Sequence, residues 1–350
     1  MKNKNIFKIN LIYFIALILV ALVFALGYFG ILQNDILSSF LIQIVVMFAI
    51  PALLYTIFVS KNLKTTFIHA GFKKITLYAV FISIGLGVVL YFINSFVANF
   101  FQTLISMLGY ERLSNTTETI YNYESLLKEF FLSAILPAIC EEFLHRGILL
   151  HAGKKCGNVR YSLIFSSLLF GFTHLNINQF FYAAILGGLI GYVSLVSNSI
   201  YPAIIIHFMN NFLSNYFYYG IHFKFPLALI MQNIRTFLYS NFFIYLIVTV
   251  LGIALLTYLY ITLTKKLTIE KVKVSMEQVV KDLNVQNSSL EQAQLTLGQI
   301  NVVLNTSQSS KSYIAYSKGE KYGFLENVFL IASIFLGATI TILSFIWGII

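Results

Sequence analysis

Charge is scarce in this sequence: 13 acidic and 23 basic residues among 350, with aspartate only at Asp35 and Asp282. Soluble domains carry roughly a quarter charged residues, so a hydrophobic content of 58% and a mean hydropathy of +0.82 exclude both a soluble globular domain and a disordered chain. Cysteine is equally sparse. Two residues exclude a disulfide-stapled secreted scaffold, and Cys140 and Cys156, in or beside one apolar run, read as inert packing or loop residues. The net charge of +10 is then a feature to be explained by a membrane, and no nucleic-acid partner is implied.

What the sequence has in abundance is long intervals free of Asp, Glu, Lys and Arg. A span needs about 20 apolar residues, and nine candidates emerge: Leu11–Leu32, Ile36–Val59, one within Ile75–Tyr110, Leu126–His151, Tyr161–Leu175, Phe180–Val196, Ile200–Tyr219, Asn241–Leu263 and Leu325–Ile350. The third interval exceeds one span, and its tail past Phe101 reads as interfacial. Asn176-Ile177-Asn178 and Ser197-Asn198-Ser199 cut the charge-free stretch from Tyr161 to Phe223 into three. The basic start and apolar run before Leu32 share features with a signal peptide, but the run is span-length and reads as the first helix.

The expected fold is thus an all-α polytopic membrane protein with about nine helices. Lys and Arg accumulate in cytoplasmic loops. With a cytoplasmic N-terminus, 19 basic residues fall inside and four, Arg112, Lys128, Lys224 and Arg235, outside. Four regions follow: helices one to three over residues 1–125, a core of helices four to eight over 126–264, a polar cytoplasmic segment at 265–322, and a last helix over 323–350. The polar segment reads as a solvated linker or as a docking site for an unknown protein. The lipid bilayer is the obligatory partner, a multi-pass cell membrane the expected location, and a bacterial plasma membrane the one its Lys-, Asn-, Ile- and Phe-rich composition suggests.

Ionisable groups inside spans are costly and mark function by default. Span four contains Pro137-Ala-Ile-Cys140-Glu141-Glu142-Phe-Leu-His145-Arg146. Proline removes a backbone bond and should bend this helix one turn before Glu141. Neighbouring residues diverge by about 100° on a helix, so Glu142 pairs with Arg146 at i, i+4 and Glu141 is left free. Phe170 and His174 share a face of span five, and His207 and Asn211 a face of span seven. His145 and His151 are expected to face the interface, His69 to lie in a cytoplasmic loop and His222 near the outer surface.

If those faces converge, they gather a carboxylate, two imidazoles and an amide, a set suited to hydrolysis. Glu141 with His174 would hold and deprotonate a water, while His207 and Asn211 would donate to the developing oxyanion. Zinc is an alternative, since Glu141, His174 and His207 suffice in number for a catalytic site that keeps one position open. The metal-free reading is preferred because no first-shell Cys or second acid is evident. A His-Glu-x-x-His helix, an intramembrane aspartate pair and a Gly-x-Ser-x nucleophile are all absent.

Glu141-Glu142-x-x-x-Arg146, Phe170-x-x-x-His174 and His207-x-x-x-Asn211 resemble the three signature motifs of the CPBP family, the CAAX-processing and bacteriocin-processing intramembrane proteases also called Abi proteins. The resemblance covers about Ser133 to Asn215, and His145 departs from it, since an apolar or aromatic residue is commoner there. It implies an intramembrane endopeptidase acting on a membrane-tethered protein or peptide, with Glu141 and His174 activating water, His207 and Asn211 forming the oxyanion hole, and Glu142, Arg146 and Phe170 in support. Glu141 lies one or two turns from the Arg146 and Lys154 end of its helix, so cleavage is expected near the cytoplasmic side. The rival expectation is a non-catalytic membrane scaffold or a bacteriocin immunity or regulatory protein on the same fold.

Overall fold

The computed structural model describes residues 4–111, 122–153, 159–241, 243–262 and 324–348. Cys156 and the polar segment at 265–322 lie outside them. Among the described residues there are helices and no strands. In chain order we number them α1 (Lys4–Tyr28), α2 (Asp35–Ser60), α3 (Leu63–His69), α4 (Leu77–Met107), α5 (residues 123–152), α6 (Val159–Phe172), α7 (Ile177–Ser197), α8 (Tyr201–Tyr219), α9 (Ala228–Ser240), α10 (Phe243–Thr262) and α11 (Phe324–Trp347).

Each of the nine expected intervals carries a helix, and six helices are long and apolar enough to cross a membrane. The chain is a multi-pass, all-α membrane protein. Two short helices, α3 and α9, were not expected, and His69 ends α3 instead of lying in a loop. α4 runs unbroken through Phe101 to Met107, 31 residues in one helix.

Two apolar clusters organise the bundle. One joins α1, α2 and α5 through Ile12, Leu17, Val46, Met47, Phe143 and Leu144, with Leu330 of α11 at its edge. The other joins α4, α7 and α8 through Leu86, Leu90, Leu186, Ile190, Ala203 and Ile206. Lipid tails are as apolar as these side chains, so close approach and hydrogen bonds must hold the helices together. Gly87 supplies the closest approach: a Cβ there would stand 2.4 Å from the Met209 Cβ of α8. In α7, Gly187 and Gly191 are spaced as a small-x-x-x-small pair, and a Cβ at Gly191 would meet Leu163 of α6 at 2.8 Å.

α2 and α5 depart from regular α-helix where the site is built. Their turns widen to the π form over Leu41–Ala49 and Thr56–Ser60 in α2, and over Phe131–Ile135 and Phe143–Ala152 in α5. Pro51 and Pro137 each sit at the start of the α-helical stretch that follows a widened turn, which absorbs the missing N–H and the ring clash. The distortion expected at Pro137 takes this form.

Candidate active site

Three local features bring polar groups to mid-membrane. The α-helical stretch Leu136–Glu142 presents Glu141 and Glu142 between two widened turns. α6 has 14 residues, about 21 Å at 1.5 Å per residue and short of the roughly 30 Å hydrocarbon core. It ends at Phe172, and Thr173 and His174 follow directly at its C-terminus. The chain then reverses at Leu175, whose φ of 50° is left-handed, a cost that persists only where the surroundings impose it, and Asn176 caps α7 by accepting from the Asn178 backbone N–H at 2.8 Å.

The adjacent glutamates do point apart. Glu142 is fully buried, and its Oε1 accepts from Arg146 Nη1 and from His207 Nδ1, each at 2.8 Å. Arg146 is also fully buried; Nη2 donates to the Gly187 carbonyl at 2.9 Å, and the guanidinium lies 4.4 Å from the Phe170 ring centroid. A side chain on Gly187 would collide with this arrangement, meeting Phe170 at 3.1 Å and Arg146 at 3.3 Å. Phe170 is the hub: the rings of His145, His174 and His207 stand edge-on to it at centroid distances of 5.0, 5.3 and 5.6 Å.

Glu141 takes the other direction. Gln43 of α2 donates to its Oε1 at 2.8 Å, and Glu141 lines a cavity of 360 Å³ together with His174. His174 Nδ1 lies 2.9 Å from the Phe170 carbonyl, which only accepts. Nδ1 therefore carries a hydrogen, and Nε2 makes no hydrogen bond to a described residue.

The structure thus brings Glu141 and His174 together, and Glu142 with Arg146, as expected. It places His207 on Glu142, and Asn211 donates to the Ser133 carbonyl at 3.1 Å and lines a neighbouring cavity instead. Glu141, His174 and His207 do not form a metal cluster: no group of three His, Cys, Asp or Glu among the described residues is placed to hold an ion.

Other expectations are corrected. His145 and His151 do not face the interface. His145 is fully buried, its Nδ1 donating to the Glu141 carbonyl at 2.8 Å and its Nε2 2.9 Å from the Thr173 hydroxyl; His151 Nε2 is 2.8 Å from Ser194 Oγ. Residues Phe143 to Ala152 are buried, and the cavity of Glu141 is lined by Phe24, Asp35, Ser38 and Ser39, at the end of α1 and the start of α2. Arg146, being buried, drops out of the loop charges, and 18 basic residues still stand against four.

Residues 123–213 match the family described as type II CAAX prenyl endopeptidase Rce1-like. The segment resembles that family. It spans α5, α6, α7 and most of α8, and so contains Glu141, Glu142, Arg146, Phe170, His174, His207 and Asn211. The match agrees with the resemblance carried by the three motifs and covers about a quarter of the chain. No curated protein and no solved structure matches the chain.

Helices outside the Rce1-like segment nevertheless enter the site, which the sequence reading missed. Gln43 is a carboxamide in an otherwise apolar stretch of α2, and no local spacing ties it to Glu141, 98 residues away. Tyr13 of α1 is buried and donates to the Leu169 carbonyl at 2.9 Å, with Thr173 Oγ1 3.2 Å away. α11 also packs on the Rce1-like helices, where Ser344 Oγ accepts from the Ile177 N–H at 2.9 Å.

Proposed function

We propose that the protein is an intramembrane endopeptidase that hydrolyses a peptide bond of a membrane-tethered protein or peptide with water activated by Glu141 and oriented by His174. The observation that carries this reading is the single cavity holding both a carboxylate and an imidazole. Gln43 holds one carboxylate oxygen of Glu141, which leaves the other for water. Glu141 takes a proton from that water while its oxygen attacks the scissile carbonyl carbon. As the C–N bond breaks, Glu141 returns the proton to the leaving nitrogen, and His174 accepts the second hydrogen bond of the water.

His207 and Asn211 are the proposed donors to the oxyanion: with Nδ1 donating to Glu142, His207 can donate from Nε2 only when both ring nitrogens carry hydrogen, and Asn211 donates through the second N–H of its carboxamide. That neither lines the cavity of Glu141 favours a second reading, a non-catalytic scaffold or immunity protein built on the same helices. Comparing new N-terminal peptides in membranes from cells expressing wild-type chain, Glu141→Gln or His174→Ala separates the two. The endopeptidase predicts cleavage products present with wild type and lost, by at least a hundredfold, in both variants. Equal products from all three chains would leave the scaffold.

The catalysis proposed is metal-free. Elemental mass spectrometry of protein purified without chelator should find zinc well below one ion per chain; stoichiometric zinc that disappears in His174→Ala would replace this mechanism with a zinc-activated water.

A further inference from the structure

A second cavity, of 420 Å³, lies beside that of Glu141 and His174, and Gln179 lines both. Among the described residues no Lys, Arg, Asp, Glu or His borders it. Its walls carry carboxamides instead: Asn94, Asn99 and Gln102 from α4, Asn178 and Gln179 from α7, and Asn211 from α8. Such groups are expensive inside a span unless they are partnered.

Some are paired and thereby fixed in orientation. Asn94 Nδ2 donates to Asn210 Oδ1 at 3.3 Å, Asn210 Nδ2 to Asn211 Oδ1 at 3.0 Å, and Asn211 Nδ2 to the Ser133 carbonyl at 3.1 Å. Others are left open. Asn178 Nδ2 donates to the Tyr110 hydroxyl at 2.7 Å, but its buried Oδ1 has no partner among the described residues. The side chains of Asn99 and Gln179 make no hydrogen bond to any described residue.

An uncharged wall gives nothing to neutralise a phosphate, a carboxylate or a metal ion. A carboxamide carries the same donor and acceptor as a peptide group and can satisfy both. A segment about to be cut within a membrane has left its helix, and each N–H and C=O so freed needs a partner that lipid cannot supply. We propose that this amide-lined chamber binds the extended backbone of an uncharged peptide segment and leads it past Gln179 to Glu141; the inference rests on the endopeptidase reading. Its volume falls in the range of ligand sites, roughly 300–1,000 Å³. Recognition of backbone, with side chains read little, makes the chamber tolerant of sequence.

The test uses the full-length Glu141→Gln protein in lipid nanodiscs, so that binding is read without turnover. The probe is a fluorescein-labelled decapeptide of alternating Ala and Ser, followed by fluorescence anisotropy. Saturable binding is expected, weakened at least tenfold in Asn99→Leu/Gln179→Leu and retained in Asn99→Gln, which keeps a carboxamide. Should the double variant fail to fold, a probe methylated on alternate backbone nitrogens removes the same hydrogen bonds from the ligand side and should bind at least tenfold more weakly. Absence of saturable binding, equal binding of the methylated probe, or displacement by maltose but not by unlabelled peptide would each overturn the proposal. Peptide binding without any Glu141-dependent cleavage in cells would sink the endopeptidase reading alone, and cleavage without binding would sink this inference alone.

Discussion

At the scale of single residues, two neighbouring glutamates carry opposite duties. Glu142 shares one oxygen between Arg146 and His207 in a site closed to solvent. Breaking one partner of a buried ion pair costs about 3–5 kcal/mol because the other charge is stranded. Glu142→Gln should therefore lower stability by about that amount, read as a lost or strongly depressed thermal unfolding transition in detergent, while Glu141→Gln unfolds near the wild-type temperature. The sequence made this division legible, since adjacency on a helix separates the two faces and i, i+4 spacing pairs Glu142 with Arg146. It did not disclose that His207 joins the same carboxylate, because a contact across 65 residues leaves no local pattern. His145 was misplaced for a related reason: its partner Thr173 stands at the end of another helix, and helical position alone does not say which end is packed.

At the scale of elements, the lengths and distortions of helices place the chemistry. α6 ends just before His174, and widened turns flank the stretch bearing Glu141. The nine helical intervals were legible from hydropathy; the widened turns of α2 were not, since only Pro51 hints at them. α4 meets α8 at Gly87, where a Cβ would also approach the Ile206 carbonyl at 3.3 Å. Overpacking a tight contact costs typically about 1–3 kcal/mol. Gly87→Ala should lower the unfolding temperature accordingly, whereas Gly85→Ala, whose nearest neighbour would be Leu259 at 3.7 Å, should leave it unchanged.

At the scale of the whole molecule, the charge distribution and the cavities agree on a direction. Lys61, Lys64, Lys73 and Lys74 lie between α2 and α4, at the end of the bundle away from Asp35, Ser38 and Ser39. If the excess of basic residues sets the lysine end in the cytoplasm, the cavity lined by Asp35, Ser38 and Ser39 lies toward the other side. A membrane-impermeant maleimide applied to intact cells should label Ser39→Cys and should reach Lys64→Cys only after the membrane is opened. The reverse pattern would invert the orientation and restore access from the cytoplasm.

The buried cluster around Arg146 also has a consequence for how the chain is made. α5 enters the membrane carrying Glu141, Glu142 and Arg146, each a burden of roughly 2.5–3.5 kcal/mol at mid-helix on insertion scales. Glu142 and Arg146 can neutralise one another within the nascent helix, but Gly187 and His207 do not yet exist. At roughly 5–20 residues per second, the 65 residues separating Glu142 from His207 take about 3–13 s to synthesise. During that interval α5 is a poor lipid-soluble segment awaiting its partners, and its final seating is set by the arrival of α8 at the insertion machinery, not by its own hydrophobicity.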